Sequence, residues 1–262
     1  MDALVPALAA LLGLLVGSFL NVVIHRVPRA ESLLRPGSHC PACSAPVRPW
    51  QNVPVLSWLA LRGRCAACRE PISVRYPLVE LATALLFAAV AARLGATPEL
   101  PAYLYLAAVA VALAMIDLDV QRLPNAIVLP SYAVGALLLL PAALAGPGWT
   151  AALRGLAAMA ALYAFYFALA WFYPGGMGFG DVKLAGLLGL YLGWLGWSAV
   201  VIGTFAAFLL GGIAGVTLLA TGRAGRKTAL PFGPAMLAGA LLALFAAGPI
   251  AAWYGALLLP SA

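Results

Sequence analysis

The feature that most limits what this chain can fold into is its succession of long apolar runs, several about twenty residues long, joined by short polar stretches. A run such as Ala3 to Ile24 carries no charged side chain. About twenty such residues in a helix match the hydrocarbon thickness of a bilayer. The composition agrees: 65% of the 262 residues are hydrophobic and 9% charged, with a mean hydropathy of +1.02. Soluble domains are nearer half apolar and a quarter charged. A transmembrane barrel would show short alternating segments instead, so the runs imply an all-α polytopic membrane protein of about eight transmembrane helices.

The expected spans are Ala3–Ile24, Leu78–Leu94, Pro101–Ile116, Ala126–Leu144, Ala151–Phe172, the short glycine-rich Leu184–Trp197, Ala199–Ala220 and Ala235–Leu259. The first is read as a retained span rather than a signal peptide, because only Asp2 precedes it and its basic residues, Arg26 and Arg29, follow it. Gly13 and Gly17, and again Gly189 and Gly193, stand four apart, a spacing that lets another helix approach closely. With the N-terminus outside, the segments 25–78, 117–125, 173–183 and 221–234 face the cytoplasm. They hold 13 of the 15 basic residues, leaving Arg93 and Arg154 on the other side. That asymmetry obeys the positive-inside rule. The net charge of +7 is then explained by loops beside anionic membrane lipid and requires no nucleic-acid partner.

The chain organises as a first transmembrane helix (1–24), a cytoplasmic insert (25–78) and a seven-helix membrane core (79–262). The insert holds all four cysteines, as Cys40-Pro-Ala-Cys43 and Cys65-Ala-Ala-Cys68 with 21 residues between the pairs. Two such knuckles can supply four thiolates to one tetrahedral ion, so the insert is expected to be a small zinc-ribbon-like module with a structural Zn2+. Two disulfides are the alternative, disfavoured by a reducing cytoplasm. His39 is adjacent but superfluous to a shell of four thiolates. About fifty residues with few large apolar side chains need such a staple.

Charges within apolar surroundings mark candidate chemistry. Asp117 and Asp119 lie in Ile116-Asp-Leu-Asp-Val-Gln-Arg-Leu-Pro-Asn125, and Asp181 and Lys183 in the glycine-rich Trp171–Lys183. In the expected topology these stretches reach the same cytoplasmic depth. Two neighbouring carboxylates do not both ionise cheaply, so one can take a proton from water while the other donates to a peptide carbonyl. Gly175, Gly176, Gly178 and Gly180 leave room for a substrate backbone, and Pro174 ends the preceding helix. Asp117 and Asp119 would point about 200° apart on a helix, so only one faces the site, and spacing does not choose. The competing reading makes all three aspartates loop charges beside headgroups. Glu80 is either a site carboxylate or a boundary residue, as are Asn21 and His25. A transporter, or a zinc-ribbon scaffold using its carboxylates non-catalytically, would carry some of these features. The deeper charges or internal repeat expected of the first are not evident, and the second has no need of Asp181.

Five elements in register sharpen the choice: Gly17-Ser-Phe-Leu-Asn-Val-Val-Ile-His-Arg-Val-Pro28, the paired knuckles, Asp117 with Leu123-Pro-Asn125, Gly178-Phe-Gly-Asp-Val-Lys183, and Pro231-Phe-Gly-Pro234. Together they resemble the bacterial type IV prepilin peptidases, the leader peptidase/N-methyltransferases. The resemblance implies a GxGD-type aspartic endopeptidase of the bacterial inner membrane, with its active site facing the cytoplasm. Such enzymes cut the basic leader from type IV prepilins or type II secretion pseudopilins. They then methylate the new N-terminus from S-adenosyl-L-methionine. The family's catalytic aspartates fall on Asp117 and Asp181. Asp119, Asn125, Lys183 and Glu80 become supporting candidates, and Gly178 and Gly180 belong to the catalytic motif. The cysteine insert places the chain with the bifunctional branch.

Overall fold

The computed structural model describes residues 3–145, 148–173, 177–222, 225 and 230–258. Nine helices form among these: α1 (Leu4–Arg26), α2 (Leu56–Ala60), α3 (Arg75–Leu94), α4 (Leu100–Val120), α5 (Asn125–Leu144), α6 (Gly148–Phe172), α7 (Phe179–Leu195), α8 (Trp197–Ala220) and α9 (Gly233–Leu258). No strand forms among the described residues. All but α2 and α7 are long and apolar enough to cross a membrane. The expected all-α polytopic membrane protein is what the chain forms. It divides into two compact units, residues 1–112 and 113–262.

In the first unit, α1 lies against α3 through the small residues anticipated for such a contact. A Cβ on Gly13 would sit 2.7 Å from the Ala84 Cα, and one on Gly17 would sit 2.7 Å from the Glu80 Cα. Those distances are too short for any side chain, so the two backbones meet directly. The Asn21 side chain adds a bond to the Tyr76 carbonyl at 3.1 Å. Between α1 and α3 runs the cysteine insert, built from turns, isolated bridges and α2.

The second unit is arranged about α7. Of its 17 residues, those after Lys183 are apolar on all sides, and every residue from Leu184 to Trp194 is buried. A helix with no polar face belongs inside a bundle. At about 25 Å long it falls slightly short of the roughly 30 Å hydrocarbon core, so its neighbours rather than lipid enclose it. Gly189 and Gly193 press it onto α6: Cβ atoms there would lie 2.5 Å from the Ala158 carbonyl oxygen and 2.9 Å from the Gly155 Cα. Arg154 of α6 then caps its far end. Its guanidinium donates to the Gly193 and Trp194 carbonyls at 2.6 and 2.7 Å, two of the acceptors a helix C-terminus leaves without partners. One of the two arginines that depart from the charge asymmetry thus has a structural task. α8 and α9 close on each other at Gly203 and Gly239, where a Cβ on Gly239 would meet the Gly203 carbonyl oxygen at 2.6 Å.

Of the helix boundaries that differ from the sequence expectation, two bear on the candidate site. α4 continues one turn past Ile116 to Val120, so Asp117 and Asp119 are both helical. α7 starts at Phe179 rather than Leu184, so Asp181 and Lys183 lie in its first turns and not in a glycine-rich break. The reason is local: Gly178, with extended φ −77° and ψ 147°, is the N-cap, and its N–H donates to the Asp181 carboxylate at 3.0 Å. An acidic residue three places into a helix both takes up a free N–H and favours the positive end of the helix dipole.

Candidate active site and metal centre

Three separated stretches of the second unit meet around two buried carboxylates. Asp117 comes from the last turn of α4, Asp181 from the first turn of α7, and Gly233 opens α9. Asp117 is 4% exposed and Asp181 9%, and the two lie within electrostatic reach of each other. Each carboxylate has its Oδ2 engaged by one backbone N–H: Gly178 donates to Asp181 at 3.0 Å, and Gly233 donates to Asp117 at 3.1 Å. Leu123 fills the space between the arms. A Cβ on Gly180 would lie 3.1 Å from the Leu123 Cβ, and one on Gly233 would lie 3.2 Å from its Cδ2. Gly180 is therefore needed for a close approach to Leu123, and Gly178 lies directly against the carboxylate it donates to.

The two candidates on α4 part company here. Asp117 points into the unit, whereas Asp119 is exposed. Lys183, half-buried, turns to α5: its Nζ donates to the Asn125 Oδ1 at 2.9 Å and sits 4.9 Å above the Phe179 ring. Asn125 and Lys183 are thus a pair joining the start of α5 to the start of α7, reinforced by the Tyr132 hydroxyl, which donates to the Lys183 carbonyl. Pro174, Gly175 and Gly176 lie outside the described residues, as do Arg223, Arg226, Lys227 and Leu259.

Gly233 has no side chain to advertise a role. The available signal was its place in Pro231-Phe-Gly-Pro234, where Pro234 lacks an N–H and leaves that of Gly233 as the first donor of α9. Tyr166 of α6, 2% exposed and within electrostatic reach of Asp181, also escaped sequence reasoning. It reads in the sequence as one aromatic residue among several on an apolar helix.

The first unit holds a second constellation. The Sγ atoms of Cys40, Cys43, Cys65 and Cys68 all lie within 4.8 Å of one another. The two knuckles repeat one pattern. Cys40 N–H donates to the Ala45 carbonyl and Cys65 N–H to that of Glu70, while Ser44 and Arg69 take matching positive φ of 56° and 64°. All four are free thiols, with Cys40 and Cys68 at 3.8 Å, a non-bonded separation. A tetrahedral ion with bonds of about 2.3 Å sets its sulfurs about 3.8 Å apart, so the cluster fits zinc. The backbone N–H groups of Cys68 and Ala67 hold the Cys65 thiol down to about 6. For Cys68, a bond from Glu70 N–H acts in the same sense. The Cys43 thiol and burial outweigh it and push Cys68 up to about 12. Four sulfurs so close compete for negative charge, a conflict that a divalent cation relieves. His39 is exposed and bonds locally to the Gly37 carbonyl at 2.9 Å, apart from the cluster.

Glu80 belongs to this unit. Its buried carboxylate accepts the Val55 N–H at 2.7 Å, just ahead of α2. Val55 holds a φ of +61°, unusual for a β-branched residue and costly by about 1–3 kcal/mol. Glu80 thus secures the insert to α3 at its most strained point. Near the end of α1, His25 is exposed and receives the Arg29 guanidinium at its carbonyl and ring nitrogen.

Comparison with known proteins agrees with both halves. Residues 11–94 match the bacterial peptidase A24 N-terminal domain, and residues 104–216 match the type IV leader peptidase family. Several similar proteins carry the name prepilin leader peptidase/N-methyltransferase. That of Stutzerimonas stutzeri is 38% identical over 94% of this chain and 92% of its own. That of Pseudomonas putida is 40% identical, covering 87% and 85%. That of Neisseria gonorrhoeae is 39% identical, covering 87% and 86%. No solved structure matches the chain. With buried paired aspartates in one unit, four clustered thiols in the other and likeness along nearly its whole length, the chain belongs to the type IV leader peptidase family.

Proposed function

We propose that this protein removes the basic leader from type IV prepilins or pseudopilins at the cytoplasmic face of the bacterial inner membrane, then N-methylates the exposed residue. Asp117 and Asp181 are the catalytic pair. The observation that carries this reading is their convergence: two buried carboxylates from distant stretches, each fixed by one glycine N–H. The names of the relatives support the substrate and both activities.

The chemistry follows from the pair. One carboxylate, ionised, takes a proton from water as the oxygen attacks the scissile carbonyl carbon; the other, protonated, donates to the carbonyl oxygen. Collapse of the tetrahedral intermediate breaks the C–N bond, and a proton returned from the pair goes to the departing amine. Because a backbone N–H only donates, each engaged Oδ2 acts as an acceptor. That leaves each Oδ1 as the oxygen to serve water and substrate. The substrate's apolar helix lies in the bilayer and its basic leader in the cytoplasm, so the junction reaches the depth of the aspartates.

S-adenosyl-L-methionine is the methyl donor this reading requires, as a co-substrate. Zn2+ bound by Cys40, Cys43, Cys65 and Cys68 is structural, since four thiolates leave no open position for water. The charge asymmetry supports an N-terminus outside. Asn125 and Lys183 support the active-site end of α7.

The test is co-expression with a prepilin, followed by mass spectrometry of the product N-terminus, which reports cleavage and methylation together. Asp117→Asn and Asp181→Asn are each expected to lower cleavage at least ~10³-fold while still inserting in the membrane, a loss comparable to removal of other acid–base residues. Leader cleavage surviving in either variant would sink the pair.

A further inference from the structure

Pro231-Phe-Gly-Pro234 lies beyond both matched segments, which end at residues 94 and 216, and neither carboxylate of the catalytic pair belongs to it. Its geometry nevertheless joins it to the centre. Gly233 N–H donates to the Asp117 Oδ2 at 3.1 Å in a buried setting. A Cβ at residue 233 would stand 2.6 Å from the same Oδ2 and 3.2 Å from the Leu123 Cδ2. A glycine is therefore required there for space.

The turn is itself held. Phe232 packs on Phe208 at 5.3 Å and on Tyr166 at 6.4 Å between ring centres, and a Cβ on Gly211 would reach its ring at 2.7 Å. The Met236 N–H bonds to the Phe232 carbonyl at 3.1 Å, continuing the turn into α9. The donor aimed at Asp117 is thus anchored on one side by an aromatic cluster and on the other by a helix.

We propose that Gly233 is a positioning residue of the peptidase, and that the Pro231–Pro234 turn is the third arm of its active centre. The turn does for Asp117 what Gly178 does for Asp181. Both Oδ2 atoms accept from a glycine N–H, so the two carboxylates are fixed in equivalent fashion, one from the start of α7 and one from the start of α9. Leu123 ties the arms together by touching Gly180 and Gly233 at once. This inference rests on Asp117 and Asp181 being the catalytic pair.

The test is Gly233→Ala in the full-length protein, assayed in membranes for leader cleavage over a range of prepilin concentration. The atom a new methyl meets first is the tip of an aspartate side chain, which can rotate, so the variant is expected to fold with Asp117 misaimed. Its kcat for cleavage should fall about 10²-fold, the scale of an ångström-level misplacement, with KM within about 2-fold. Methylation of a pilin supplied already cleaved should persist, which reports an intact fold. Gly248→Ala lies on the same helix, where a Cβ would meet nothing within 4 Å. It should leave kcat near wild type. Cleavage by Gly233→Ala at the wild-type kcat overturns the proposal, as does the same kcat loss in Gly248→Ala. If Gly233→Ala is not recovered, Phe232→Leu decides: it loosens the turn without filling space and should lower kcat about 10-fold, KM again unchanged, while an unchanged kcat overturns the proposal. Asp117→Asn run in parallel separates the cases. If it still cleaves, the catalytic reading fails; if it is inactive while Gly233→Ala is normal, only the positioning role fails.

Discussion

The cysteine insert and the aspartate centre are built on opposite principles. In the insert, each pair of ligand candidates is three residues apart and each knuckle forms from its own neighbours, so Cys40 and Cys43 need nothing distant to take their shape. In the second unit, Asp117, Asp181 and the N–H of Gly233 come from the end of one helix and the beginnings of two others. A local site tolerates rearrangement elsewhere in the chain, because its geometry is set by short turns. An assembled site depends on the register of every helix that contributes. The one is readable from spacing, and the other is not.

The sharpest way to test that contrast is to remove the metal ligands. Cys40→Ser with Cys65→Ser takes one thiolate from each knuckle. Bound zinc is expected to fall from about one ion per chain to near zero. Apparent zinc binding in small modules reaches about 10–16 kcal/mol, so the segment between α1 and α3 should then become open to protease. The helices of the second unit, sealed against one another by glycines, should remain resistant. Elemental analysis and limited proteolysis read the two effects separately. Unchanged zinc would refute the metal assignment; loss of both units together would refute the claim that the insert is built locally.

The same contrast explains what could be read from the sequence. The paired knuckles, the α1 glycines at 13 and 17 and the α7 glycines at 189 and 193 were visible, because each is a spacing with one physical consequence. The extra turn of α4 was not, since Asp117 and Asp119 look like the end of an apolar run although the backbone continues to Val120. The true start of α7 was hidden for a related reason. Asp181 ends the hydrophobic signal and at the same time takes up the N–H of the helix's own N-cap. Choosing Asp117 over Asp119 needed the family resemblance, because a helix places them on different sides without saying which side is inward. For Gly233 the Pro231–Pro234 pattern marks a donor but not its target, because a backbone N–H is common to almost every residue and only the fold gives it a partner.

Glu80 probes the border between the two principles, since it joins a helix to the insert. Glu80→Ala strands the Val55 N–H at a strained φ and is expected to cost about 1–3 kcal/mol in the first unit. Glu80→Gln keeps an acceptor oxygen and should stay within about 1 kcal/mol of wild type. Thermal unfolding followed by proteolysis of the insert measures both. Equal damage from the two variants would mean that the carboxylate's charge matters, and Glu80 would return to the candidates for a chemical role.

Asp119→Asn should have the smallest effect of all, a change in kcat/KM for cleavage within about 2-fold. It stands two residues from Asp117 on the same helix, yet it is exposed while Asp117 is 4% accessible. Solvent screens an exposed charge, and pairs of such charges contribute ~1 kcal/mol or less. Successive helical residues turn by about 100°, so a shift of one residue in the last turn of α4 would swing Asp117 off Gly233. A shift of two would bring Asp119 round in its place. Asp119→Asn measured beside Asp117→Asn is therefore a direct reading of that register. An inactive Asp119→Asn with an active Asp117→Asn would show the last turn of α4 wound differently, with the Gly233 N–H serving the other carboxylate.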